Sequence, residues 1–379
     1  MRKPLFYCLM MILCGIMLLI ISDVGRAQRS EPAPQRIVMF TPTTENNTYW
    51  PQVYRIVEKV SDDLGVDVLP YEFDVGDRFA THREGIQILD TMVRPDGAIF
   101  SVVFGQTRPL LQVTEKMDLP VMILGPLFPD ELPRIGTKPR KEFDSWIGYF
   151  YQDESQKGYL LGKALLKAAH DANLYAEDGS IQVIGISGDY SWFGSRRREE
   201  GLRRAVKEDT SARLLQIVNT LWTPEEAREK TTRLMMRYPR TGVVWAASDQ
   251  LALGAADALR EGGHIPGQTV LVGGLDLSLA GLQAVKNNVL HATVSSFMLF
   301  YARMLVYLYD YINGFDFADE AGTTVTTDIH VVTKETADRF LRLYTFFNEI
   351  DFRKFSKVYN QSLHNYDFSL EKLEDALTH

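Results

Sequence analysis

From residue 36 onward the chain alternates short β-branched or apolar runs with longer stretches of helical period. The runs predict strands at Ile37–Phe40, Val66–Tyr71, Gly97–Val103, Pro120–Leu124 and Ile147–Tyr151, then at Ile181–Ser187, Leu214–Val218, Val243–Ala246, Val270–Gly273 and Ala292–Ser295. Between them Val53, Ile56, Val57, Val60 and Leu64 form one helical stripe, and Leu161, Ala164, Leu165 and Ala168 a second. Leu251, Ala255, Ala258 and Leu259 form a third. Strands alternating with helices of this length build crossover units and a parallel sheet. About ten such units are too many for one ordinary open sheet. The polar, proline-bearing stretch Pro126–Asp144 divides the series after the fourth strand. The pattern therefore predicts an α/β protein of two doubly wound, Rossmann-like lobes, each with its own core. A barrel is the competing architecture, but its eight strands are too few.

After residue 339 the pattern changes. Phe340, Leu343, Tyr344 and Phe347 make one amphipathic stripe, Phe352, Phe355, Tyr359 and Leu363 a second, and Leu370, Leu373 and Leu377 a third. They predict a helical C-terminal extension packed on a lobe, with a partner-docking surface as the alternative.

The other end carries a different signal. Leu5–Ile21 has no charge, follows Arg2-Lys3 and ends near Gly25-Arg26-Ala27, the order of a secretory signal peptide over residues 1–27. An uncleaved membrane anchor is the alternative. The two cysteines, Cys8 and Cys14, both lie in that apolar run, so the remainder has no disulfide and no thiolate chemistry. An exported chain without disulfides points to a periplasm. The 379 residues are 45% hydrophobic and 24% charged, ordinary globular proportions. A net charge of −8 without a basic tail argues against nucleic acid as a partner.

Catalytic signatures are missing. Gly185-Ile-Ser187-Gly188 has the wrong spacing for a nucleophile elbow, and no G-x-G-x-x-G or Walker sequence follows a strand. The seven histidines form no pair at metal-sharing spacing, so neither a metal nor a cofactor is expected. In open α/β sheets ligands sit beyond the carboxyl ends of the strands. The residues at those junctions are Tyr49-Trp50, Gly125, Asp153, Trp192 to Arg198, Trp222, Ser248-Asp249, Asp276 and Ser295-Ser296. Aromatic faces with carboxylates, hydroxyls and arginine suit a small polar ligand such as a sugar. Each also has a plainer reading. Asp153, Asp249 and Asp276 stand where helices begin and are candidate N-caps. Trp222 precedes the capping box Thr223-Pro-Glu-Glu226 and would serve as a hydrophobic staple onto Ala227. Tyr49 and Trp50 would serve as core. Arg196-Arg197-Arg198 resists such a reading. If Ser195 caps the helix, three cations stand where the dipole disfavours them, so at least one needs a partner.

With these residues in view the chain resembles type I periplasmic binding proteins, in the ribose-binding and autoinducer-2-receptor branch, over roughly residues 36–345. The resemblance is carried by Ala247-Ser-Asp-Gln-Leu-Ala-Leu-Gly-Ala-Ala-Asp-Ala-Leu259, Gly274-Leu-Asp276 and Arg198-Glu-Glu-Gly-Leu202. Tyr49-Trp50 and Val332-Thr-Lys334 look most like the autoinducer-2 receptor. The resemblance implies a ligand cleft between the two lobes, with contacts at Tyr49, Trp50, Arg198, Trp222, Ser248, Asp249 and Asp276, and with Asp153 and Ser296 at crossing segments. It departs from the family at Gly125, Leu275 and Ser296, so it implies the fold rather than one ligand. Lobe 1 is expected over 36–150 and 297–324, lobe 2 over 151–296 and 325–347, and the extension over 348–379. The function implied is an exported solute-binding protein that presents its ligand to an ABC transporter or a membrane sensor kinase. A secreted enzyme acting in the cleft and a repressor-type effector domain are the alternatives.

Overall fold

A computed structural model describes residues 34–42, 49–73, 85–89, 94–102 and 105–377. The expected signal peptide lies outside them. Among the described residues no helix is long and apolar enough to cross a membrane.

Twelve strands, β1–β12, form two six-stranded sheets among the described residues. The first contains β1 (Arg36–Pro42), β2 (Asp67–Phe73), β3 (Gly97–Ser101), β4 (Val121–Leu124), β5 (Trp146–Tyr151) and β11 (Thr324–Thr326), in the order β11-β5-β4-β3-β1-β2. The second contains β6 (Ile181–Ser187), β7 (Ala212–Asn219), β8 (Val243–Ala246), β9 (Leu271–Leu275), β10 (Ala292–Ser295) and β12 (His330–Val332), in the order β12-β10-β9-β8-β6-β7. All pairings are parallel except β10 with β12. The central strands β4 and β8 are buried at every position, because helices cover both faces of a parallel sheet. These are the two lobes. Two open sheets exclude the barrel.

Among the described residues, the helices of six residues or more are α1 (Trp50–Leu64), α2 (Thr107–Met117), α3 (Glu154–Asp171), α4 (Phe193–Lys207), α5 (Pro224–Arg237), α6 (Asp249–Glu261), α7 (Leu279–Lys286), α8 (Phe300–Ile312), α9 (Ala337–Phe346) and α10 (Leu370–Asp375). The stripe Val53, Ile56, Val57, Val60 and Leu64 is the buried face of α1, which ends where Gly65 turns to φ +69°. Helices α3 and α4 lie so close that a Cβ on Gly158 would come within 2.0 Å of the Arg198 carbonyl oxygen.

The chain passes between sheets three times: between β5 and α3, between β10 and α8, and between β11 and β12. The third passage follows Thr326, two residues beyond the expected boundary, because Val325 and Thr326 pair with Phe150 and Tyr151. The extension also differs from expectation. Helix α9 carries the first stripe, but the second yields only a single 3-10 turn at Phe352–Phe355. There the Asp351 carboxylate accepts from Arg353 N, and Asp310 accepts from Ser356 Oγ and Lys357 N. These side chains divert the backbone from a helical ladder.

Candidate functional site

Lobe 1 supplies an aromatic wall. The Tyr49 ring meets Trp50 edge-on at 5.4 Å and Tyr301, from α8, at 6.4 Å. The Tyr49 and Tyr301 hydroxyls lie 3.3 Å apart. Burial raises both phenols above their ordinary range, and Asp276 adds to the shift. Asp276 and Arg198 belong to lobe 2, so the wall confronts their charges across the lobe boundary. Two contacts bring the lobes together nearby. Leu279 N, opening α7, donates to Gln52 Oε1 of α1 at 3.0 Å, and the Phe128 and Phe193 rings lie 5.2 Å apart.

Arg198 organises the lobe 2 side. It is 5% exposed, and its Nε donates to Glu154 Oε2 at 2.6 Å. One terminal nitrogen reaches the Ala247 carbonyl and lies 3.4 Å from Asp276 Oδ1. The guanidinium sits 4.8 Å from the Trp192 ring, which in turn packs against Trp222 at 5.8 Å. Behind Glu154 stands Lys157, 1% exposed, donating to Glu154 Oε1 at 2.9 Å and to Gln152 in the first crossing. Desolvation drives the Lys157 ammonium down in pKa. For Glu154 the desolvation penalty is outweighed by Arg198 and Lys157, which hold it below its usual range.

The three arginines divide as the dipole argument requires, from a different helix start. Helix α4 begins at Phe193, and Ser195 is not its cap: its hydroxyl donates to the Asp189 carbonyl at 2.6 Å. Arg196 stacks over Tyr190 at 5.2 Å, Arg197 pairs with Glu200, and Arg198 turns inward.

Four expected contact residues are engaged elsewhere. Asp153 caps α3, accepting from Gln156 N at 2.9 Å, and Ser248 caps α6, accepting from Leu251 N at 3.2 Å. Ser296 hydrogen-bonds Thr327 at 2.6 Å, joining the second and third crossings. Asp249 was expected to direct its carboxylate into the cleft, but it is 1% exposed and turned into lobe 2. Its Oδ2 accepts from Ser278 N and Ser278 Oγ, each at 2.8 Å, and its Oδ1 from Thr293 Oγ1 at 2.6 Å. Asp249 thereby fixes the turn that presents Asp276. That turn is strained, with φ +122° at Asp276 and +51° at Leu277, a feature concentrated at ligand clamps. Burial pushes Asp276 up to about 6 and, with repulsion from Asp276, Asp249 up to about 7. Trp222 does precede a capped helix: Thr223 Oγ1 accepts from Glu226 N at 3.3 Å, while Glu226 reaches Leu221 N at 2.7 Å.

The periplasmic binding protein domain model matches residues 37–314. The chain belongs to the periplasmic binding protein family. Its two lobes have the type I form, and membership implies a periplasmic location. A periplasmic sugar-binding protein from Pseudomonas fluorescens matches with a TM-score of 0.77 at 26% identity, over 90% of this chain and 99% of its own. An ABC transporter periplasmic solute-binding protein from Actinobacillus succinogenes, with bound D-allose, matches at 0.64 and 21%, over 80% and 99%. The periplasmic component of the arabinose ABC transporter of Shewanella sp. ANA-3, bound to α- and β-L-arabinofuranose, matches at 0.66 and 17%, over 81% and 95%. These last two bear on the fold alone. No curated protein sequence matches the chain.

In this periplasmic binding protein the structure gathers Tyr49, Trp50, Arg198 and Asp276, and sets Trp222 behind Trp192. Sequence reasoning missed Tyr301, Glu154 and Tyr344. The Tyr344 hydroxyl, in α9, is buried without a hydrogen-bond partner, and the charges of Asp249 and Asp276 help raise its pKa. Nothing short-range in the sequence signals it: its stripe position reads as core. Among the described residues no group of His, Cys, Asp and Glu is arranged to hold a metal.

Proposed function

We propose that this protein is an exported solute-binding protein whose lobes close on a small, polar, sugar-like molecule and present it to a membrane partner. One observation carries the reading: Tyr49, Trp50 and Tyr301 from lobe 1 confront the buried Arg198 of lobe 2 and its half-buried partner Asp276. Aromatic rings supply faces for the apolar side of a sugar ring, and a fixed guanidinium and carboxylate supply a donor and an acceptor for its hydroxyls. The contacts we assign are Tyr49, Trp50, Tyr301, Arg198 and Asp276, with Trp192 and Trp222 as the aromatic support on lobe 2. The apolar leader over residues 1–27 suits export. The partner we assign is an ABC transporter or a membrane sensor kinase.

Mass spectrometry of molecules released by denaturing natively purified protein identifies the ligand, and calorimetry then measures its binding. A neutral polyol or sugar is expected. Trp222→Ala and Arg198→Lys should each weaken it by about 30- to 1,000-fold, or 2–4 kcal/mol. Wild-type affinity in both variants, or a released molecule without hydroxyl groups, would sink the reading.

A further inference from the structure

Beyond the residues that the family model matches, the chain runs from lobe 2 to lobe 1 and back. It leaves α9, which packs on α7 in lobe 2. At Phe347 it meets lobe 1, where Arg55 of α1 lies 5.4 Å over the ring. Phe352 N then donates to Asp63 Oδ2 at 2.8 Å, and the Tyr359 hydroxyl donates to the Leu64 carbonyl at 2.7 Å, both at the far end of α1. The segment is next pinned to α8. Asp310, fully buried, accepts from Ser356 Oγ at 2.5 Å, Lys357 N at 2.7 Å and the Tyr366 hydroxyl at 2.8 Å. Phe368 follows, 6.1 Å from Tyr307 of α8 and 4.9 Å from Phe355. Within three residues the chain is back on lobe 2. Arg339 of α9 donates through Nε to Glu374 at 2.7 Å, and through its terminal nitrogen to Glu371 at 2.9 Å and Glu374 at 2.7 Å.

The return link has no slack. Three residues span at most about 10 Å when fully extended. Separation of α8 from α9 by more than a few ångströms must therefore undo one of the two anchors. They are unequal. The Asp310 anchor is buried and hydrogen-bonded on both oxygens, whereas α10 is held by two buried leucines, Leu373 and Leu377, and by the partly exposed ion pairs of Arg339 with Glu371 and Glu374, which salt screens. We infer that residues 347–377 form a strap that limits lobe opening, and that the Arg339–Glu371–Glu374 cluster is the catch that releases first.

The test needs no ligand, so it stands or falls separately from the proposed function. In a Cys8→Ser/Cys14→Ser background, Lys116→Cys and Lys207→Cys place spin labels on exposed sites of α2 and α4. Dipolar electron spin resonance then gives the inter-lobe distance distribution of the ligand-free protein. Glu371→Gln/Glu374→Gln should increase the long-distance population several-fold, with little change in melting temperature. Raising salt from about 0.01 M to about 1 M shortens the screening length from about 30 Å to about 3 Å and should move wild type the same way. The double variant should not respond to salt. Truncation after Phe368, which also removes the buried Leu373 and Leu377, should open the lobes at least as far as the double variant. Distributions that coincide in wild type, double variant and truncation at every salt concentration would overturn the strap.

Discussion

Asp249 and Asp276 show how one residue type divides into two roles. Asp249 sits behind the turn and Asp276 stands at its tip, and burial raises both carboxyls above the usual range, to about 7 and about 6. The linkage has a definite sign. A carboxyl with a raised native pKa holds its proton more tightly folded than unfolded, so it favours the fold below its unfolded pKa near 4. That contribution is lost as pH rises through the native values. The ligand-free protein should be about 4 kcal/mol more stable at pH 5 than at pH 8 from this pair, read as a higher urea midpoint, and Asp276→Asn should flatten the slope. An unchanged slope in that variant would assign the titration elsewhere. Of the site, Arg198 was legible because three cations near a helix start are costly. The inward turn of Asp249 was not, because its partners Ser278 and Thr293 lie 29 and 44 residues away. Tyr301 was not either, since it meets Tyr49 across 252 residues.

Among the elements, the pair α3–α4 is held at a distance that only glycine permits. A Cβ on Gly201 would come within 2.0 Å of the Ser155 carbonyl oxygen and 2.5 Å of Tyr159 N, both backbone atoms that cannot swing away. Gly201→Ala should therefore cost about 3 kcal/mol or more in denaturant unfolding. Gly179→Ala, where nothing lies within 4 Å and only φ +78° opposes a side chain, should cost about 1 kcal/mol. Equal costs at the two positions would show that the helices simply part. Since Arg198 rides on α4 and Glu154 on α3, this spacing also sets their ion pair. Ten strands were readable from β-branched runs. The three-residue strands β11 and β12 were too short to show a period. The second C-terminal stripe misled because Asp310, on another helix, competes for its backbone.

At the scale of the molecule, each lobe is assembled from distant parts of the chain. Helix α8 packs on α1, and β11 closes the sheet beside β5, yet both follow the whole second sheet core in sequence. A fragment ending at Gln152 should therefore show no cooperative unfolding transition, while the full chain should unfold in one. A sharp transition in the fragment would show lobe 1 to be independent. The interleaving also sets a clock. During synthesis at about 5–20 residues per second, roughly 10–35 s separate the appearance of Tyr151 from that of Thr326. Throughout that interval the β5 edge, Trp146–Tyr151, has no partner on the side that β11 will occupy. Lobe 1 is thus kept unfinished by connectivity alone, and any factor that holds the nascent chain has a fixed window in which to act.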